Sequence, residues 1–118
     1  MEAKTFTNFD MRISPEDLSR LEEHIAQHPD NIEYLDWAAF AFYCNGLLEK
    51  AVGAYRRLIL IHPDNPSYHY YLGSALFKAG DLPSARLEWE KTIRIDVRGQ
   101  FASRAQRKLD GSQTSGQA

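Results

Sequence analysis

His28-Pro29-Asp30-Asn31 and His62-Pro63-Asp64-Asn65 are the same four residues written twice, 34 positions apart. The identity is short, but the residues around it keep the offset. Gly46 matches Gly80, Ala51 matches Ala85, Ile59 matches Ile93 and Ile61 matches Ile95. The aromatics Tyr55 and Trp89 fall into the same register. A fixed period in the range of roughly 20–50 residues marks a stacked repeat, whose units bury their apolar faces on one another. The period speaks for an architecture. It names no ligand.

Each copy of the tetrapeptide is a boundary. Proline lacks an N–H and disfavours helix at the histidine before it, so Pro29 and Pro63 each end a helix. Asp30 or Asn31 then caps a helix over about 32–45, and its copy opens another over about 66–79. In the first, Leu35, Ala38, Ala39 and Phe42 form one apolar stripe, while Trp37, Phe40 and Tyr43 form a second. A helix apolar on two sides must be covered on both, or must offer one to a ligand. In the second copy His69, Leu72, Gly73 and Leu76 stand where the first stripe stood. Asn45-Gly46 and Ala79-Gly80 supply turn residues that tolerate the left-handed conformation. Each turn leads into a further helix. One covers about 48–61 with Ala51, Val52, Tyr55, Leu58 and Ile59 inward. The other covers about 82–97, with Ala85, Trp89, Ile93 and Leu87 inward.

Flanking segments complete the pattern. Ser14-Pro15-Glu16-Asp17 offers a cap hydroxyl, a first-turn proline and acids at the positive helix end. Leu18, Leu21 and Ile25 then share one face of a helix over 14–28. Beyond Gly99, Phe101, Ala105 and Leu109 describe a short helix over 100–109 with Arg104, Arg107 and Lys108 outward. Residues 1–13, with Phe6, Phe9, Met11 and Ile13, have no helical period and read as an extended segment. Residues 110–118 read as a polar, flexible tail.

The chain has 118 residues, 43% of them apolar, enough for one core. Net charge is −2, which argues against nucleic acid as the main partner. The charge is uneven: −4 over residues 1–31, −1 over 32–65 and +3 over 66–118. It reads as a solvated surface, or as a source of head-to-tail steering between copies. Cys44 is the single cysteine, so no intrachain disulfide forms and a reducing, cytoplasmic setting is expected. Met1-Glu2-Ala3-Lys4 leads into no apolar run of the signal-peptide kind, and no stretch has the length of a membrane helix.

Helix pairs at this period resemble the tetratricopeptide repeat. The second unit carries Leu72-Gly73, Gly80, Ala85 and Trp89 of that motif. It departs at His69, Thr92 and Val97, where the family favours Trp, Ala and Pro. The first unit carries Phe42, Gly46, Ala51, Tyr55 and Pro63, with Ala38-Ala39 in place of Leu-Gly. The resemblance implies an all-α fold of antiparallel helix-turn-helix repeats in a short right-handed superhelix. Its expected divisions are a half repeat at 14–31, repeats at 32–65 and 66–99, and a capping helix at 100–109. It also implies a concave groove lined by the first helix of each unit. Carried over position by position, the groove takes Glu33, Asp36, Phe40, Tyr43 and Cys44 from the first unit. Ser67, Tyr70, Ser74, Phe77 and Lys78 come from the second. Some family members clamp an acidic tail of a heat-shock chaperone with Lys and Asn. Those positions here hold Asp36, Phe40, Tyr70 and Ser74, so that clamp is not expected.

Phe40, Tyr43, Tyr70 and Phe77 are expected to form one apolar strip, covered by a partner, another copy or the Phe6–Ile13 segment. With its acidic edge the groove suits an apolar or basic peptide. The alternative is that the aromatics pack within the chain. His24 and His28 have chelating spacing but no evident third ligand, so no metal is expected. No cofactor loop or catalytic set is legible, and Cys44 has no readable base. The reading is a non-enzymatic adaptor or scaffold. A small secretion-chaperone type of protein and a self-assembling module are the alternatives.

Overall fold

The computed structural model describes residues 13–117, with side chains through 112. The expectation for Phe6, Phe9 and Met11 lies outside those residues. Among the described residues six helices follow in order: α1 (Pro15–Gln27), α2 (Ile32–Cys44), α3 (Leu48–Ile61), α4 (Pro66–Lys78), α5 (Leu82–Ile95) and α6 (Gln100–Gln117). Consecutive helices from α2 onward pack as neighbours, and α2, α4 and α6 also meet along one side of the stack. The fold is all-helical and solenoid-like, as the period predicts.

Local chemistry sets the helix starts. Ser14 Oγ accepts from Asp17 N at 3.2 Å, Asn31 Oδ1 from Tyr34 N at 3.0 Å and Asp81 Oδ1 from Ser84 N at 3.2 Å. Of Asp30 and Asn31, therefore, Asn31 is the cap. Its copy Asn65 caps α4 through Ser67 N. Such side-chain oxygens satisfy amides that have no partner inside the helix.

Both turns within the pairs end in the same way. Gly46 and Gly80 have φ of +78° and +98°. Leu47 N then reaches Phe42 O and Asp81 N reaches Leu76 O, each at 2.9 Å. This left-handed glycine closure satisfies the last carbonyls of the preceding helix. The two His-Pro-Asp-Asn boundaries also match, with Asn31 N on His28 O and Asn65 N on His62 O.

The core alternates small and large. Ala38, Ala39, Ala51, Ala85 and Gly73 let helix axes approach, and Tyr55, Leu58 and Trp89 fill the spaces between them. His69 is the polar member of this core. One ring nitrogen lies 2.8 Å from Glu88 Oε1 and the other 2.7 Å from Pro63 O. Both neighbours are acceptors, so the geometry is filled by an imidazolium donating twice. The Glu88 hydrogen bond raises the His69 pKa against the opposing effect of burial.

Three expectations need correction. Leu87 is 58% exposed, because its helix face turns away from the pair. The fifth helix closes at Ile95, where Asp96 becomes the cap and Val97 points into solvent. The last helix continues through Gln117 instead of ending at Leu109. Part of the reason is that Ser112 is buried, accepts from Arg86 Nε at 3.3 Å and donates to Leu109 O at 2.9 Å. Composition alone marked this stretch as a tail.

Candidate functional site

The side of the stack shared by α2, α4 and α6 holds a groove of about 1050 Å³. Residues one repeat apart face it together. Glu33, Ser67 and Phe101 stand at successive 34-residue steps, as do Asp36, Tyr70 and Arg104. Trp37 and Phe40 extend the α2 wall, Gln100 and Lys108 extend the α6 wall, and Tyr43, Tyr55 and Tyr71 form the floor.

The floor is a connected aromatic cluster centred on Tyr71. Its ring lies 5.2 Å from Phe40, 5.7 Å from Tyr43, 6.0 Å from Tyr55 and 5.1 Å from Tyr70, centroid to centroid. Phe101 of α6 joins at 5.7 Å from Tyr70. The Arg104 guanidinium sits 4.7 Å above Tyr70 and 5.2 Å from the Phe101 ring centre. A cation over a ring face is attracted by the ring quadrupole, and the contact fixes α6 against the floor.

Electrostatics divide the groove. Glu33 and Asp36 are exposed on the α2 wall, and Asp36 Oδ2 accepts from the Tyr68 hydroxyl at 3.0 Å. Burial, aided by that bond, pushes the Tyr68 phenol up to about 12, so it stays a donor at neutral pH. Burial likewise raises the Tyr55 phenol far above its ordinary range. On the α6 wall Arg104 and Lys108 carry positive charge.

Of the residues carried over from the repeat pattern, Glu33, Asp36, Phe40, Tyr43, Ser67 and Tyr70 come together in this groove. Tyr70 is only 4% exposed, because Arg104 and Phe101 lie over it. Ser74 is buried, Lys78 Nζ lies 4.3 Å from the Tyr43 ring centre, and neither lines the groove. Phe77 is 44% exposed and packs 5.7 Å from Trp89, outside the groove. The expected strip of four aromatics is therefore interrupted, and α6 covers its middle. Cys44 is half-buried and off the lining.

Sequence reasoning missed Tyr71, Tyr55 and the whole α6 wall. The signal for α6 was present: a second step of 34 carries Ser67, Tyr70 and Ser74 to Phe101, Arg104 and Lys108. The missing tetrapeptide and Gly99 concealed it. His24 and His28 have ring centres 4.5 Å apart, with His24 stacked on Tyr34 at 3.8 Å. Among the described residues no three His, Cys, Asp or Glu side chains converge as a metal site, and no helix is long and apolar enough to cross a membrane.

A family model described as the TPR repeat matches residues 39–80, which span the C-terminal part of α2, all of α3 and all of α4. No curated protein matches the chain. Such repeats generally mediate protein–protein interaction and scaffolding, and the family is typically a non-enzymatic interaction module. The matched repeat, the repeated boundaries and the stacking of helix on helix support a tetratricopeptide-repeat protein, the family match itself covering residues 39–80.

Proposed function

We propose that this protein is a non-enzymatic adaptor that holds a segment of another protein in the groove between α2, α4 and α6. The observation that carries the reading is the aromatic lining of a groove of about 1050 Å³, in which Phe40, Tyr43 and Tyr71 are half-buried and Trp37 is exposed. That volume is at or above the ~300–1000 Å³ typical of small-molecule sites, as suits a peptide stretch. Contiguous aromatic surface of this kind marks an interaction site more often than a plain solvated face. Trp37 at the rim is 46% exposed and adds a large, stiff side chain of the type that dominates binding energy.

The test compares two baits, wild type and Phe40→Ser, in crosslinking capture from the native host. Phe40 is half-buried at the groove edge, so the variant should keep its helix content by circular dichroism. A protein retained by wild type and lost with the variant supports the reading. An identical retained set from both baits removes the groove from the function. Light scattering on the same samples reports self-association directly.

A further inference from the structure

The two walls of the groove are oppositely charged and do not neutralise each other. Glu33 and Asp36 stand three residues apart, on one face of α2. Arg104 and Lys108 stand four residues apart, on one face of α6. Among the described residues, none of the four forms an ion pair with an opposite charge. Asp36 spends one carboxylate oxygen on a neutral phenol, and Arg104 rests on aromatic faces and donates to the Tyr71 hydroxyl at 3.5 Å. The groove between them is floored by rings that offer contact area to an apolar side chain and no carboxylate or ammonium of their own.

From this polarity we infer the partner's chemistry, on the footing that the groove is the binding site. The occupant is a segment of another protein that carries a Lys or Arg, an apolar or aromatic residue and an Asp or Glu in that spatial order. Its cation meets Glu33 and Asp36, its apolar side chain lies on the tyrosine floor, and its carboxylate meets Arg104 and Lys108. A uniformly basic peptide satisfies the first wall and is repelled by the second. A uniformly acidic one fails in the opposite sense. Discrimination by repulsion of this kind sets specificity and orientation more than raw affinity. Because Glu33, Asp36 and Lys108 are exposed, the preference should weaken as salt rises.

Selection of a phage-displayed random dodecapeptide library on the immobilised full chain tests this. Enriched sequences should hold a basic and an acidic residue on opposite sides of an apolar one. The tightest peptide is then measured by fluorescence anisotropy. Glu33→Lys with Asp36→Lys should weaken it at least tenfold, and so should Lys108→Glu with Arg104→Glu. Since Arg104 packs on the tyrosines, Lys108→Glu alone serves as the variant certain to leave the floor intact, with a loss of threefold or more. A chain carrying all four reversals should prefer the same peptide with its basic and acidic residues exchanged. If affinity is indifferent to every reversal but falls with Phe40→Ser, the polarity is wrong and the groove stands. If Phe40→Ser is also without effect, or nothing is enriched, the groove reading falls with it.

Discussion

Ala39 and Tyr55 in the first helix pair stand one period before Gly73 and Trp89 in the second. All four are buried. The first pair sets a methyl at the position equivalent to Gly73, and a phenol at the position equivalent to Trp89. The second removes the methyl and enlarges the ring. A Cβ added at Gly73 would come within 2.7 Å of Trp89 Cδ1 and 2.8 Å of Trp89 Nε1, so the indole lies where that methyl would be. Two units with one backbone plan thus divide the same space differently. Identity at a repeat position matters less than the volume shared by positions that face each other.

The largest effect should come from emptying the larger share. Trp89 is 1% exposed, and among the described residues its Nε1 has no hydrogen-bond partner, so packing holds it. Trp89→Ala should cost about 3–5 kcal/mol, read as a shift in the urea midpoint. A loss under 1 kcal/mol would mean that the second pair does not depend on this ring.

The next effect tests the exchange of volume. Gly73→Ala should cost about 1–3 kcal/mol by overpacking, and Gly73→Leu more. Trp89→Tyr with Gly73→Ala copies the first pair, Ala39 with Tyr55. The double variant should be more stable than the two single costs predict, by a coupling of about 0.5–3 kcal/mol. Strict additivity would break the comparison.

How much of this could be read from the chain follows the same division. The paired boundaries, the cap at Ser14, a second cap at Asp30 or Asn31, and the burial of Leu35, Ala51, Ala85 and Trp89 were legible, because they depend on local chemistry and on the period. The groove was legible only on the α2 side and part of α4. Tyr70 is covered by Arg104, a contact between residues 34 apart on helices not adjacent in sequence, which no helical wheel of α4 contains. Tyr71 was hidden because it serves the floor and the helix contact together. The end of α6 was hidden because burial of Ser112 outweighs its polar composition.

A third contrast is chemical. Leu35 in the first pair corresponds to His69 in the second, so only the second pair should have pH-dependent packing. The His69 pKa is raised by its bond to Glu88. Its contribution is therefore full below the ordinary histidine value of about 6.5 and is lost as pH rises through the higher folded value. Burial tends to raise the Glu88 carboxyl, but His69 and Lys91 outweigh it and hold it below its ordinary value. That contribution is present above the ordinary carboxyl range and is lost as pH falls through the lower folded value. Between pH 6 and pH 9 wild type should lose about 1 kcal/mol, the difference between a charged and a neutral hydrogen bond. His69→Gln should be less stable at pH 6 and lack that drop. An equal drop in both proteins would assign the pH dependence elsewhere.

The smallest effect should have the opposite sign. Gly53 lies in the interior of α3, and its repeat equivalent is Leu87 in α5. Unlike Gly73, it faces open space: a Cβ there would meet nothing within 4 Å, and its backbone is ordinary helix. Glycine inside a helix loses more backbone entropy on folding than alanine and gives nothing back when no neighbour needs the room. Gly53→Ala should therefore stabilise the protein by roughly 0.5–1 kcal/mol. The same substitution made at Gly73 should destabilise it. The contrast isolates the cause, since both glycines are helical, both lie in the repeat region and both variants add one methyl. Urea denaturation of the two variants beside wild type should place the midpoints on opposite sides of the parent. If both fall below it, Gly53 is serving a close approach, and the exposed Leu87 is a poor guide to that face of the first pair.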